Sequence, residues 1–526
     1  MPSLVLNRCF FGGGWEMYRG RANQIIILAA AITVAVSGCK VGPDCRAWHD
    51  PLRSDWRLQL DESLRTDGAL DQTWWVAFND PALNTLVNRS VVQNLSLQEA
   101  AARIQESRAR LGVSRGGLFP TVNQIDSYKR IDISDNGSPF GITGFSFPPF
   151  DLWSTGFDVS WEIDVFGAVR RTMEAARADL DASVENRNAL QVTLLGDVAT
   201  NYVTLRAVEQ RIVNAAENVR IQEETVRITQ ERFQAGAVSD LDVSQAKTLL
   251  HRTQSAIPLL QRERDRAMNR LCVLQGEQPR NMDEIIAPEG SIPRPPTNID
   301  IGIPINLVRQ RPDIRRAEWE VVAQSARIGV ATADLYPRFS LIGIFTLDSI
   351  NLNQLFDAGS LSMRVAPEVR WNILNFGRVR SNIAVQDARF DQAVTRYRQA
   401  VLDAVEEVEN ALAGYHRYRE SEKELALAVD AARSAARTAS EQYKAGAVSF
   451  QTLLDAERSL VLTQDEHISA QGNVTLSVVQ LYKALGGGWD WSSAAGWSSL
   501  AVPPEPIEVP PPSAPAADNL PEPQNP

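Results

Sequence analysis

The chain repeats itself. Trp161 and Trp371 stand 210 residues apart, and so do Phe166-Gly167 and Phe376-Gly377, Arg170 and Arg380, and Gly276 and Gly486. The longest identity, Ala235-Gly236-Ala237-Val238-Ser239 against Ala445-Gly446-Ala447-Val448-Ser449, keeps that spacing. Upstream, Ala109–Val113 and Leu118-Phe119-Pro120 match Ala326–Val330 and Leu335-Tyr336-Pro337 at a spacing of 217. Offsets held over more than a hundred residues argue against coincidence, and the change between them leaves seven residues to be accommodated in the intervening segment. Units of about 200 residues are too long for a short-repeat solenoid and imply two pseudo-symmetric halves.

Each half has one order of elements. A helix of about 35 residues is expected first, over Pro81–Gly117 and Ile305–Asp334. Alternating segments follow around loops rich in Gly, Pro, Ser and Asn, with period two at Phe157, Val159, Trp161 and Ile163 and again at Val369, Trp371 and Ile373. Strands are expected at about 121–133, 151–164, 338–347 and 361–374. From Val169 to Ala235 there is no proline and one glycine, Gly196, which predicts a helix of about 100 Å at 1.5 Å per residue. Val198, Leu205, Ile212, Val219, Val226 and Phe233 recur every seventh residue, a period that supercoils a helix left-handedly against its neighbours. The second copy keeps Val408, Tyr415, Val429, Ala436 and Tyr443 but carries Glu422 in that register. A return helix follows each turn. Strands of about 10 residues suit a tilted membrane β-strand. Four per chain cannot close a barrel, so a membrane role requires oligomerisation, and three chains would supply twelve. Trp153, Trp161, Trp371 and Tyr128 suit aromatic girdles and core packing equally well.

The N-terminus carries an address. Arg19 and Arg21 precede the apolar run Ile25–Val36, too short to span a bilayer and typical of a signal peptide. Met17 would open a signal of ordinary length. The run ends in Val36-Ser37-Gly38-Cys39, which resembles a bacterial lipobox and implies lipidation of Cys39; an ordinary secretory signal is the alternative. Lys40 follows where retention signals usually have Asp, implying outer-membrane sorting. The organisation expected is a signal peptide over 1–38, an N-terminal periplasmic segment over 39–80, a first repeat over 81–276, a linker over 277–304, a second repeat over 305–488 and a tail over 489–526. From Val502 onward the tail is proline-rich without hydrophobic period and reads as disordered or polyproline-like.

Composition removes several classes. Of 526 residues, 44% are apolar and 22% charged, which suits neither a disordered chain nor a bundle of membrane helices. A net charge of −11 argues against a nucleic-acid binder. Four cysteines exclude a disulfide scaffold, and the four histidines lie far apart, so neither metal nor cofactor is expected. No Gly-x-Ser-x-Gly, P-loop or spaced cysteine–histidine pair suggests an enzyme. A bridge between Cys45 and Cys272 is left open.

Several segments coincide with one family. Cys39-Lys40-Val41-Gly42-Pro43-Asp44 and Trp74-Trp75-Val76-Ala77-Phe78-Asn79-Asp80-Pro81-Ala82-Leu83 resemble the mature start of outer-membrane efflux lipoproteins. The run from Ile303 to Ile314-Arg315, through Arg311-Pro312-Asp313, looks like that family's most specific signature. The chain is similar, over about residues 39–488, to TolC-like outer-membrane factors of the NodT/OprM lipoprotein branch. Cys45 departs from the tyrosine usual there. The resemblance implies an α+β membrane protein: a homotrimer with a twelve-stranded barrel, continued by a long periplasmic barrel of helices. It implies passive export of small molecules, such as drugs, toxic compounds or metal ions, with a periplasmic adaptor and an inner-membrane RND pump as partners. A duct for type I protein secretion, and a trimeric coiled-coil stalk, are the alternatives.

In that family the helix–turn–helix tips form the periplasmic entrance. The matching tips here are Gly236–Asp242 and Gly446–Asp455. Asp455, with Gln451 one turn earlier, falls where the family constricts the pore. Gln451 departs from the apolar residue familiar there. Three copies of Asp455 near one axis would favour cations; a solvated carboxylate on a helix face is the alternative. Asp240 and Asp242, on the other tip, suit either the gate or helix capping. Gly236, Ala237 and Val238, with Gly446, Ala447 and Val448, form tight turns that the resemblance places against the adaptor.

Overall fold

The computed structural model describes residues 39–45, 55–57, 63–66, 71–134, 148–287, 290–304, 307 and 310–489. The expected signal peptide, most of the first hairpin loop and the proline-rich tail lie outside these residues. The helices are α1 (Pro81–Gln93), α2 (Leu95–Gly116), α3 (Ala168–Gln234), α4 (Asp240–Leu274), α5 (Pro312–Ala333), α6 (Arg378–Lys444) and α7 (Phe450–Ala484). The strands are β1 (Leu64–Arg65), β2 (Thr121–Ile131), β3 (Phe150–Ile163), β4 (Ile299–Asp300), β5 (Arg338–Ser349) and β6 (Leu361–Arg370). None of the described helices is long and apolar enough to cross a membrane.

β2, β3, β5 and β6 form one antiparallel sheet in that order, and β1 pairs with β4 in parallel. The two hairpins obey the repeat. Thr121 lies opposite Ser160 in the first and Arg338 opposite Arg370 in the second, the positions that the offsets 217 and 210 carry into one another. The seven extra residues therefore sit in the loop between β2 and β3. Each hairpin is tied to its preceding helix by one indole: Trp161 donates to the Leu118 carbonyl at 3.0 Å and Trp371 to the Leu335 carbonyl at 3.1 Å.

The long helices α3 and α6 each run 67 residues, because nothing in either interior breaks the hydrogen-bond ladder. Both begin at a glycine of positive φ, Gly167 at 78° and Gly377 at 85°. Both end in a Schellman turn. Ala237 donates to the Arg232 carbonyl at 2.8 Å and Gly236 to Phe233 at 2.9 Å; Ala447 and Gly446 repeat this on Gln442 and Tyr443. Gly236 and Gly446 supply the left-handed residue that the turn requires. The Glu422 interruption of the seam meets His467 of α7 at 3.2 Å.

The single first helix of each half is a correction. The first breaks at Asn94, whose side chain accepts from the Ser96 and Leu97 amides and caps α2. In the second, α5 starts only at Pro312, after Arg311. Asn94 and Arg311 are repeat counterparts, and the breaks do the same work. Asn94 Nδ2 donates to the Leu274 carbonyl at the end of α4, and Arg311 Nη1 to the Ala484 carbonyl at the end of α7, both at 2.8 Å. Each break satisfies a carbonyl left over at a helix C-terminus.

The largest apolar core gathers the middle of the long helices, both return-helix ends and the 71–80 segment around Trp74, Leu195, Leu271 and Tyr482. Trp74 stacks on Tyr482 at 5.2 Å. A second core lies at the tips, where Val226, Ala246, Tyr443 and Phe450 bring both helical hairpins together.

Candidate functional site

Three features carry chemistry: the sheet, the tips and the segment after Cys39. Alternation and register give the sheet two unlike faces. One carries Trp153, Phe157, Val159 and Trp161 of β3, Phe339, Leu341, Phe345 and Leu347 of β5, and Leu361, Met363, Val365 and Val369 of β6. The opposite face carries Ser154, Asp158, Glu162, Arg338, Asp348, Arg364, Glu368 and Arg370. Aromatics lie at both ends of the apolar face. Tyr128 packs on Trp153 at 4.5 Å between ring centres, Trp161 sits eight residues on, about 26 Å away along β3, and Trp371 lies just past the end of β6. β2 is the exception on this face: Asp126 accepts from Gln124 and Thr155. Among the described residues, β2 and β6 each have one strand neighbour.

At the tips, Asp455 is exposed on α7 and accepts from Gln451 Nε2 at 2.9 and 3.0 Å, with Arg458 at 4.0 Å. Asp242 is engaged in a capping box with Ser239, accepting from its amide at 3.0 Å. Asp240 stands in the same first turn. The structure brings Gln451 and Asp455 together and leaves Asp240 and Asp242 on the other tip. The second tip has Thr452 where the first has Asp242, and α7 has no side-chain cap. Arg232 joins the two tips: it donates to the Tyr443 carbonyl and lies 4.6 Å over the Tyr443 ring. No spacing in the sequence links residues 211 apart on different hairpins, so this contact was invisible there.

One helical repeat behind the tip, Glu457 is buried and accepts from Thr225 at 2.7 Å. Burial pushes its carboxyl above the ordinary carboxylate range, and the Thr225 hydrogen bond offsets this only in part. Because the folded-state pKa is raised, Glu457 supports the fold in its protonated form, a contribution complete at acid pH and lost as pH rises through the folded value. Glu457→Gln is therefore expected to raise the melting temperature at pH 7 and to leave it unchanged at pH 4, read by circular dichroism at both.

The third feature is a clamp. Arg171, 1% exposed, donates to the Val41 and Gly42 carbonyls, each at 2.9 Å, and pairs with Asp44 and Glu174 at 2.9 Å. Arg171 holds the Asp44 carboxyl below its usual range, with Lys40 adding to it. Gly42, at φ 89°, crosses Gly329 so closely that a Cβ would fall 2.4 Å from the Gly329 Cα. The exposed Cys39 is thereby held where β3 passes into α3, its carbonyl 3.5 Å from Arg170 Nη2. No disulfide joins Cys45 to Cys272. No group of His, Cys, Asp or Glu among the described residues is arranged to hold a metal.

The family model described as outer membrane efflux protein matches residues 86–277 and 304–487. Nodulation protein T of Rhizobium leguminosarum bv. trifolii is 30% identical over 467 residues, covering 88% of this chain and 97% of that protein. The solvent efflux pump outer membrane protein SrpC of Pseudomonas putida is 31% identical over 466 residues, covering 87% and 97%. Among solved structures, the outer-membrane channel OprN superposes with a TM-score of 0.80 at 32% identity, over 86% of this chain and all of that one. The two-faced sheet, the repeated long hairpins and these likenesses agree: the chain belongs to the outer membrane efflux protein family and is an efflux channel protein of the outer membrane.

Proposed function

We propose that three copies of this chain form the outer-membrane duct of a tripartite efflux system. The observation that carries this is a four-stranded sheet with a largely apolar face, a charged face and two edges that no other described strand covers. Unpaired edges are intolerable in lipid, where each unsatisfied backbone group costs several kcal/mol. Three such sheets joined edge to edge close a twelve-stranded barrel whose apolar face meets lipid and whose charged face lines water. The long hairpins continue the duct through the periplasm, and their Ala-Gly-Ala-Val turns meet a periplasmic adaptor that couples the duct to an inner-membrane RND pump. Transport through it is passive, and a water-filled bore needs no cofactor. Relatives named for toluene, solvent and antibiotic efflux favour small molecules over secreted proteins as cargo.

The test is purified protein in planar bilayers. It is expected to conduct under applied voltage without nucleotide, and to have the mass of three chains after correction for detergent. A non-conducting monomer would overturn the proposal.

Lipid anchoring at Cys39 belongs to the same proposal, supported by the lipobox and by the clamp that holds Cys39 at the sheet–helix junction. Cys39→Ser is expected to abolish labelling with radioactive palmitate in cells while the barrel still retains protein in the outer membrane. Label kept by the mutant would remove Cys39 as the anchor.

A further inference from the structure

A cavity of about 500 Å³ lies where α5 passes into β5 and β6 into α6. Three guanidiniums line it. Arg338 opens β5, Arg370 closes β6 directly opposite, and Arg378 opens α6. Asp334, the one lining carboxylate, accepts from Arg338 at 2.6 Å. Outside the lining, Glu368 accepts from Arg370 at 2.9 Å, and Glu162 stands 3.9 Å from Arg338. Among the described residues Arg378 has no ion-pair partner. A guanidinium carries five N–H donors in a planar fork, so these contacts leave donors of all three arginines available around the cavity.

The repeat shows that the fold does not ask for these charges. Arg338, Arg370 and Arg378 stand where the first half has Thr121, Ser160 and Ala168, and Asn372 stands where it has Glu162. At the eight lining positions the first half carries one carboxylate and no cation; the second carries three cations and one carboxylate. The placement is locally adverse twice over. Arg338 and Arg370 are direct cross-strand neighbours, where like charges repel. Arg378 sits at the first position of α6, where the helix dipole disfavours a cation. The first half also meets the start of its long helix with an anion of its own: Asp164 accepts from the Val169 and Arg170 amides, each at 3.0 Å. Leu374 occupies that position in the second half. Cations gained and carboxylates lost at one junction point to an anion from outside the chain.

We infer that this cavity is a binding site for anionic solutes, which it takes by a carboxylate or phosphate group. Guanidiniums bind the oxygens of such groups in pairs. Arg338 and Arg370 lie on the charged face of the sheet, so in the duct proposed above the site opens on the bore, where the sheet gives way to the helices. The inference rests on that duct for the direction in which the site faces and for its use in transport; the binding itself is a property of one chain.

Equilibrium dialysis of the purified protein against labelled pyrophosphate tests it, at about 0.1 M salt, where screening leaves charges a reach of about 10 Å. Saturable binding of a single pyrophosphate per chain is expected. Arg378→Ala breaks no ion pair and is expected to weaken binding about tenfold, the scale of one hydrogen bond to a charged group. Arg338→Thr/Arg370→Ser/Arg378→Ala installs the residues of the first half and is expected to remove saturable binding. Should that variant fail to melt cooperatively, Arg378→Ala alone decides. Arg364→Gln is the control: it removes a cation from the same face of β6, six residues and about 20 Å from Arg370, and is expected to bind as the parent does. Equal losses in Arg364→Gln and Arg378→Ala would mean diffuse attraction to a charged face and overturn the site, as would parental binding by Arg378→Ala. Planar bilayers separate the two readings. Pyrophosphate is expected to reduce the potassium chloride current of the parent more than that of Arg378→Ala, and equal block in both overturns the role in transport. Binding without conductance overturns the duct and leaves the site. Conductance without saturable binding overturns the site and leaves the duct.

Discussion

Arg311→Met is expected to destabilise the helical region by about 3 kcal/mol, the scale for removing one partner from a buried charge cluster. Arg311 is buried, donates to the Ala484 carbonyl, and pairs with Asp313 and Glu407 at 2.6 Å each. It thus ties the start of α5 to the middle of α6 and the end of α7. Methionine fills the aliphatic volume but leaves a helix-terminal carbonyl and two carboxylates without their cation. Asn94→Ala, its repeat counterpart, removes only neutral hydrogen bonds and is expected to cost about 1 kcal/mol. Thermal melts at 222 nm should separate the two. Burial opposes ionisation of Asp313, but the Arg311 guanidinium outweighs it and holds that carboxyl below its ordinary value. A lowered folded-state pKa contributes stability that is complete above the unfolded value and lost as pH falls through the folded one. The gap between parent and Arg311→Met should therefore narrow below about pH 4. A gap that is unchanged there would show that Arg311 acts through packing alone.

This gives the Arg311-Pro312-Asp313 signature a structural meaning that its sequence does not show. Proline at the first helical position is a signal for the start of α5, because its missing amide is an orphan there anyway, yet the helix expected over Ile305–Asp334 ran through it. Asn94 gives no such mark. It lies in a run, 82–111, without proline or glycine, and only its cap on Ser96 and Leu97 reveals the break. The strands were legible because one face of each carries a period of two, as in Phe157, Val159 and Trp161. The long helices were legible because they lack breakers. Contacts between distant segments were not. Arg171 reaches Val41 across 130 residues and Arg232 reaches Tyr443 across 211, and an arginine on a helix looks the same whether it is solvated or clamped. The repeat is the exception, since it converts one observed long-range contact into a second, and for the same reason it exposes departures from symmetry. Ile212 and Ile257 stand where Glu422 meets His467, so a polar joint occupies only one of the two hairpins.

Asp455 is another such departure, since its counterpart is Gln245, and Asp455→Asn is expected to lower the cation preference of the channel. The shared fold does not require an acid at this position. In the chain Asp455 is exposed and accepts both hydrogen bonds of Gln451, while Arg458 stands off at 4.0 Å, so its charge is not neutralised by a close ion pair. In the proposed trimer three copies would converge near the axis, where like charges would draw cations to the mouth. Asparagine keeps the size and removes up to three negative charges. Screening supplies the discriminating condition. The field of the ring reaches about 10 Å at 0.1 M salt and about 3 Å at 1 M. Reversal potentials across a potassium chloride gradient should therefore differ clearly between parent and mutant near 0.1 M and converge near 1 M, with block by divalent ions weakened in parallel. Asp403→Asn is the control, a carboxylate held by Gln399 at 2.6 Å on α6, about 60 Å of helix from the turn. If Asp455→Asn and Asp403→Asn both keep the selectivity of the parent at low salt, Asp455 is a solvated residue on a helix face and the constriction lies elsewhere.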